Sequence, residues 1–155
     1  MNPFRASPAR STYRNIGVET AVANASPHQL IVLLFDGAIE AVGQARYCME
    51  RGDVAGKGVA ISKAIRIIGE GLSSALDMEA GGAIAMNLRN LYDYMMKRLL
   101  EANLHSQPEL LAEVTSLLYE LRGVWAQIGQ RSATVPVTSM PAPRPERRAV
   151  SYGAA

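Results

Sequence analysis

The chain has 155 residues, of which 48% are apolar and 19% charged, enough for one domain with a real core. Its longest apolar run, residues 30–35, is far too short to span a membrane. The net charge of +2 sits in the flanks: residues 26–130 carry nine Lys and Arg against twelve Asp and Glu, net −3, which does not suit a nucleic-acid reader with its positive charge on the folded surface.

Residues 1–11 are polar, with Pro and Arg, and are expected to be disordered; they hold no apolar stretch suited to a signal peptide. Residues 12–25 carry Tyr13, Ile16, Val18 and Val22 and predict a short helix or an extended arm lying on the domain. The first long helix begins at Ser26-Pro27-His28-Gln29. Ser is a good N-cap, Pro suits the first helical position, and Gln three residues after the cap completes a capping box. That helix is expected to stop near Arg51-Gly52. Within it lies Cys48, the only cysteine, read as a small buried apolar residue; with no disulfide possible, the chain suits a reducing cytoplasm.

Asp53 is the expected cap of a second helix, running to about Leu76 with Ile61, Ile65, Ile68, Leu72 and Leu76 inward. The segment DMEAGG reads as a loop, with Gly81-Gly82 as a turn. The third helix is expected over residues 83–104. Leu88, Leu91, Tyr92, Met95 and Leu99 form its inward stripe, and Met86, Tyr94, Met96, Leu100 and Leu104 lie off it. This second greasy face needs a cover from somewhere. Ser106-Gln107-Pro108-Glu109 is another capping signal, with Ser as the cap of a fourth helix. That helix is expected to end near Gly129, with Leu110, Val114, Leu117, Leu118, Leu121, Trp125 and Ile128 inside.

Each helix is roughly 22 residues or about 33 Å long, and short connections make sequential helices antiparallel neighbours. The predicted fold is therefore all-α, an antiparallel up-down-up-down four-helix bundle. It divides into a flexible arm over residues 1–25, the bundle over 26–130, and a disordered Pro- and Arg-rich tail over 131–155.

Catalytic signatures are missing. His28 and His105 fall at helix ends and read as surface residues, and no inward Glu and His three apart repeats on two helices as a bundle metal site requires. A phosphotransfer bundle would carry its His in the middle of a helix face, which neither histidine does. Asp36, Glu40, Asp93 and Glu101 read as solvated helix positions. No catalytic, cofactor-binding or metal residue is assigned.

The strings SPHQLIVLLFDGAIEA, GGAIAMNLRNLYDYMMKRLLEAN and EVTSLLYELRGVW, in this order, resemble the flagellar secretion chaperone FliS family. The resemblance covers residues 13–128 and rests on Ser26-Pro27, Leu30-Ile31, Asp36-Gly37-Ala38, Asn87-Leu88, Leu91-Tyr92-Asp93-Tyr94-Met95, Arg98-Leu99 and Ala102-Asn103. Leu117-Leu118, Leu121 and Trp125 fit as well. The tail has no counterpart in the family pattern. The resemblance implies a non-enzymatic cytoplasmic chaperone without cofactors. It would bind the disordered C-terminal segment of flagellin, prevent early polymerisation and help deliver flagellin to the flagellar export gate, with a co-chaperone or a homodimer as further possibilities. The rival reading is a generic helical adaptor, or a self-associating bundle, with no unfolded client.

A disordered client must bury apolar side chains as it orders. Roughly 1,000 Å² of apolar contact at about 25 cal/mol per Å² would more than offset several kcal/mol of ordering cost. The candidate groove residues are Ile31, Phe35, Ile67, Met78, Met86, Tyr94, Leu100 and Leu104. Met suits such a surface because its thioether adapts to irregular partners. Tyr13, Ile16, Val18 and Val22 could cover the same groove and leave when the client arrives, and the resemblance makes Tyr13 and Ile16 export-gate contacts. The plain alternative is a frayed lead-in that staples the first helix.

Overall fold

The computed structural model describes the backbone of residues 23–139 and the side chains of residues 23–130. Four helices, α1 (Pro27–Glu50), α2 (Val54–Arg66, continuing as a π-helical segment Ile67–Ser73), α3 (Met78–His105) and α4 (Pro108–Ser139), make up the described fold, and no strand occurs among the described residues. The predicted arm positions Tyr13, Ile16, Val18 and Val22 lie outside the described residues.

The start of α1 follows the local code. Gln29 N donates to Ser26 Oγ at 3.1 Å, and Ser26 N donates to the Gln29 side-chain oxygen at 2.9 Å, so the capping box is complete. The stop is equally local. Gly52 takes a left-handed φ of 71°, Asp53 N reaches Cys48 O at 2.9 Å and Gly52 N reaches Met49 O at 3.2 Å, which is a Schellman ending. The next residue, Asp53, then caps α2 by accepting from Gly56 N at 2.9 Å.

The connections reverse the chain each time, and cross-helix contacts show the antiparallel register. Gly71 near the end of α2 faces Leu34 near the start of α1, and Gly129 of α4 presses on His28 in the first turn of α1. Lys57 at the start of α2 meets Asn103 and Ser106 at the end of α3. Around the ring, α1 lies between α2 and α4, and α3 closes the far side against both. The bundle predicted from the sequence is thus the observed architecture.

The core alternates bulk and small residues. Phe35, Ile61, Ile68, Leu72, Met95, Leu99, Leu111 and Leu118 fill it. Ala38, Ala41 and Ala45 on α1 with Ala60 and Ala64 on α2 let those two backbones approach closely. Cys48 is buried and free, as the sequence suggested.

Four local expectations need correction. First, α2 does not stay α-helical to Leu76, because Ile67–Ser73 is π-helical. Second, residues 78–81 are not loop: Asp77 Oδ1 accepts from Glu79 N and Ala80 N at 3.1 and 3.0 Å, making a first turn. The backbone then breaks at Gly82 (φ 53°, ψ −128°), so α3 proper restarts at the expected Ala83. Third, Ser106 ends α3 in the left-handed region (φ 49°, ψ 53°), and its hydroxyl accepts from Lys57 Nζ at 2.7 Å. Lys57 Nζ also donates to Asn103 O at 3.0 Å, a cation on the carbonyl end of a helix. Fourth, α4 continues past Gly129 to Ser139, and Ile128, expected inside, is 44% exposed.

Candidate interaction surface

The eight predicted groove residues separate into three groups. Phe35 is 1% exposed and belongs to the core, so it is not part of an outer face. The apolar run 30–35 offers every phase of the helix, and only packing against the other helices selects which members turn inward. Ile31 and Ile67 are half-buried and pack on the core edge. Met78 is half-buried beside the Asp77 cap. Met86, Tyr94, Leu100 and Leu104 are exposed.

Helix geometry decides which exposed residues act together. At about 100° per residue, Met86 and Leu104 lie on one line along α3, and Leu100 is offset by about 40°. Leu100 and Leu104 form a short apolar strip, Leu104 being 77% exposed, and the exposed Asn90, Asp93 and Lys97 stand along the same line between them and Met86. Met96 borders this strip and reaches toward α2, since a Cβ on Gly69 would stand 3.1 Å from Met96 Sδ. The strip therefore lies on the α2 side of α3.

Tyr94 stands about 120° away from Leu100, on the α4 side. Its hydroxyl donates to Glu113 Oε2 at 2.6 Å, and Arg98 Nε donates to Glu113 Oε1 at 2.9 Å. The Arg98 guanidinium also sits 5.5 Å from the Tyr94 ring centroid and 3.6 Å from Glu101. The Tyr94 hydrogen bond, followed by that of Arg98, holds the Glu113 carboxyl below the ordinary carboxylate range, and the same bonds raise Tyr94 and Arg98. Tyr94 is thus tied into a polar bridge between α3 and α4 rather than into the strip. Its buried neighbour Tyr92 is pushed up to about 12 by desolvation.

Sequence reasoning did not single out Ile84 and Val124, which are 73% and 56% exposed. Ile84 lies ten residues before Tyr94 and Val124 eleven after Glu113, so the antiparallel Tyr94–Glu113 contact puts them level on the two helices. A groove also opens where α1 begins and α4 passes, lined by Ser26, Val32, Leu33, Ala126, Gly129 and Gln130. The described chain begins beside it, with Asn24 and Ala25 in its lining. His28 is not a free surface residue here. Its ring stacks on Trp125 with centroids 5.5 Å apart and planes 5° from parallel, and among the described residues His28 Nε2 and Trp125 Nε1 have no hydrogen-bond partner. Asp36, read as solvated, instead pairs with Arg122 across α1 and α4. Arg122 is raised by that bond.

Among the described residues no group of three or more His, Cys, Asp or Glu is placed to hold a metal, and no helix is long and apolar enough to cross a membrane. What the surface offers is exposed apolar side chains on a helical frame. The family model for the flagellar protein FliS matches residues 9–132. This chain belongs to the FliS family. It is 51% identical over 121 residues to the flagellar secretion chaperone FliS of Salmonella typhimurium, covering 78% of this chain and 90% of that protein. It is 48% identical over 117 residues to the flagellar secretion chaperone FliSB of Pseudomonas aeruginosa, covering 76% and 92%. The FliS of Bacillus subtilis is similar at 29% identity over 109 residues, covering 70% and 80%. The matched FliS region takes in all the candidate residues and ends two residues into the tail.

Proposed function

We propose that this chain is a non-enzymatic flagellar export chaperone. It binds the disordered C-terminal segment of flagellin in the cytoplasm, keeps that segment from polymerising early, and presents it to the flagellar export gate. The observation that carries the reading is the exposure of Met86, Leu100 and Leu104, at 47%, 54% and 77%, on one side of a helix whose opposite side holds Tyr92, Met95 and Leu99 in the core. Exposed apolar residues scattered singly need no explanation, but Leu100 and Leu104 one turn apart, with Met86 further along the same side, do. Ile31, Ile67 and Met78 extend apolar surface around the bundle, so an extended client can wrap over more than one helix seam. The names of the relatives and the family match support the flagellar setting.

The arm belongs to the same proposal. Asn24 and Ala25, where the described chain begins, line the groove at the head of α1, and Tyr13, Ile16, Val18 and Val22 of the preceding segment supply apolar side chains that can cover bundle surface until the client displaces them. Tyr13 and Ile16 then become available to the export gate.

Isothermal titration of the full chain with the C-terminal segment of flagellin tests this. The expected result is 1:1 binding with a negative heat-capacity change, the mark of apolar burial. Leu100→Asp combined with Leu104→Asp should weaken binding at least tenfold, about 1.4 kcal/mol, while leaving the melting temperature nearly unchanged. No binding at micromolar concentration would favour a helical adaptor without an unfolded client.

A further inference from the structure

Two lines of core residues run out into the open at the end of the bundle where α3 begins and α4 leaves. Ile84 comes eleven residues before Met95, which turns it only about 20° from the Met95 line. Met95 is 0% exposed, yet Ile84 is 73% exposed. On α4, Ile128 comes eighteen residues after Leu110, about five full turns, and so stands on the same line. Leu110 is 9% exposed and Ile128 44%. Val124 comes eleven residues after Glu113, about 20° from the line of a side chain that bonds to α3, and it is 56% exposed. Ile84 and Val124 are level, so the three side chains share the open end of the α3–α4 seam. Neighbouring exposed apolar residues of this kind mark a surface that is covered by something.

The surroundings of the patch are acidic. Glu120 is exposed one turn from Val124 on the same side of α4, and Glu79 is exposed at the start of α3. Arg122, the one basic residue of α4 whose side chain is described, is tied to Asp36 on the α1 side.

We propose that this patch is the seat of the chain's own residues 140–155, which return from the end of α4 and lie along the α3–α4 seam. The proposal does not rest on the client reading above. α4 runs to Ser139, eleven residues or about 17 Å past Ile128. Residues 140–155 span up to about 53 Å when extended, so roughly five of them make the return and the rest reach the patch. Pro141, Pro143 and Pro145 favour extended backbone over a continued helix. Val150 and Tyr152, two residues apart, face one side of an extended chain and supply the apolar cover. Arg144, Arg147 and Arg148 against Glu146 give the segment a charge opposite to that of Glu79 and Glu120. Exposed ion pairs hold little by themselves, so the apolar contact seats the segment and the charges select this seam.

A spin label on the full chain at Ser151→Cys tests the proposal by methyl NMR. Cys48 is buried, and wild-type chain treated in the same way shows any label it takes up. The Ile84 and Ile128 methyls should lose most of their intensity. Val54 and Val59 at the start of α2, each 71% exposed, should keep theirs. Adding Arg147→Glu and Arg148→Glu should restore the Ile84 and Ile128 signals. Broadening no greater at Ile84 and Ile128 than at Val54 and Val59 would overturn the proposal. So would the same loss in a mixture of spin-labelled chain without isotope and isotope-labelled chain without spin label, since the cover would then be a second copy. Ile84 and Ile128 signals that stay sharp beside the label, yet shift when the C-terminal segment of flagellin is added, would assign the patch to the client and also overturn it. A chain that binds no flagellin defeats the client reading alone, because the spin-label measurement does not involve that ligand.

Discussion

Replacing Phe35 by Ala separates core from binding surface more sharply than any other single change. The side chain is 1% exposed and is the largest of the fully buried ones, surrounded by residues of the other helices that cannot all move into the space it leaves. Phe-to-Ala changes at such sites cost about 3–5 kcal/mol, the transfer free energy plus the residual cavity. For a domain of this size, at about 4 °C per kcal/mol, the melting temperature should fall by about 12–20 °C. Differential scanning calorimetry and urea denaturation followed by circular dichroism give the two independent readings. Leu104→Ala is the matched control, since a side chain 77% exposed should change stability by less than about 0.5 kcal/mol. Well below its melting temperature, Phe35→Ala should still bind the flagellin segment with nearly wild-type affinity, and Leu104→Ala should bind more weakly. A Phe35→Ala variant that loses less than about 1 kcal/mol of stability while losing client affinity would refute this assignment of the core.

Lys57→Met keeps most of the buried stem but removes the ammonium that bonds Asn103 O and Ser106 Oγ, so a loss of about 2 kcal/mol is expected in urea denaturation, and an unchanged or raised stability would contradict the bridging role. The pH dependence should report Glu113. Its carboxyl is held below the ordinary range, first by Tyr94 and then by Arg98, so its contribution is complete above that range and is lost as the pH falls through the depressed value. Glu113→Gln should therefore flatten the acid limb of the melting temperature against pH, and superimposable limbs would show that the bridge adds nothing.

The features read correctly from the sequence are those whose causes are close in the chain. Ser26 and Gln29 cap α1 from three residues apart, Gly52 ends it because the left-handed region suits glycine, and Asp53 starts α2 at once. The inward stripe of α3 was legible because its period is that of the helix, and Tyr92, Met95 and Leu99 are all buried. The features that were missed have distant causes. Ser106 looked like a cap until Lys57, 49 residues earlier, claimed its hydroxyl. The π-turn lies against Leu34 and Met96, which come from two other helices. Phe35 sits in an unbroken apolar run, where no period marks the inner face and only the assembled bundle sets it. Tyr94 was grouped with Leu100 because both leave the core stripe, yet they leave it on opposite sides, and Glu113 on α4 fixes the tyrosine. Ile84 and Val124 escaped notice because each looked like an isolated apolar position on its own helix.

Methionine methyls sample both the strip and the core, and they allow the direct test of the claim that the outer strip of α3 seats the client. With the methionine methyls isotopically labelled, the full chain is titrated with the C-terminal segment of flagellin and followed by two-dimensional NMR. Met86, on the same side of α3 as Leu100 and Leu104, and Met78 in the turn before Gly82 should shift or broaden in step with binding, while Met95, which is 0% exposed, should stay in place. Binding that leaves Met86 and Met78 untouched would show that the client is seated elsewhere on the bundle.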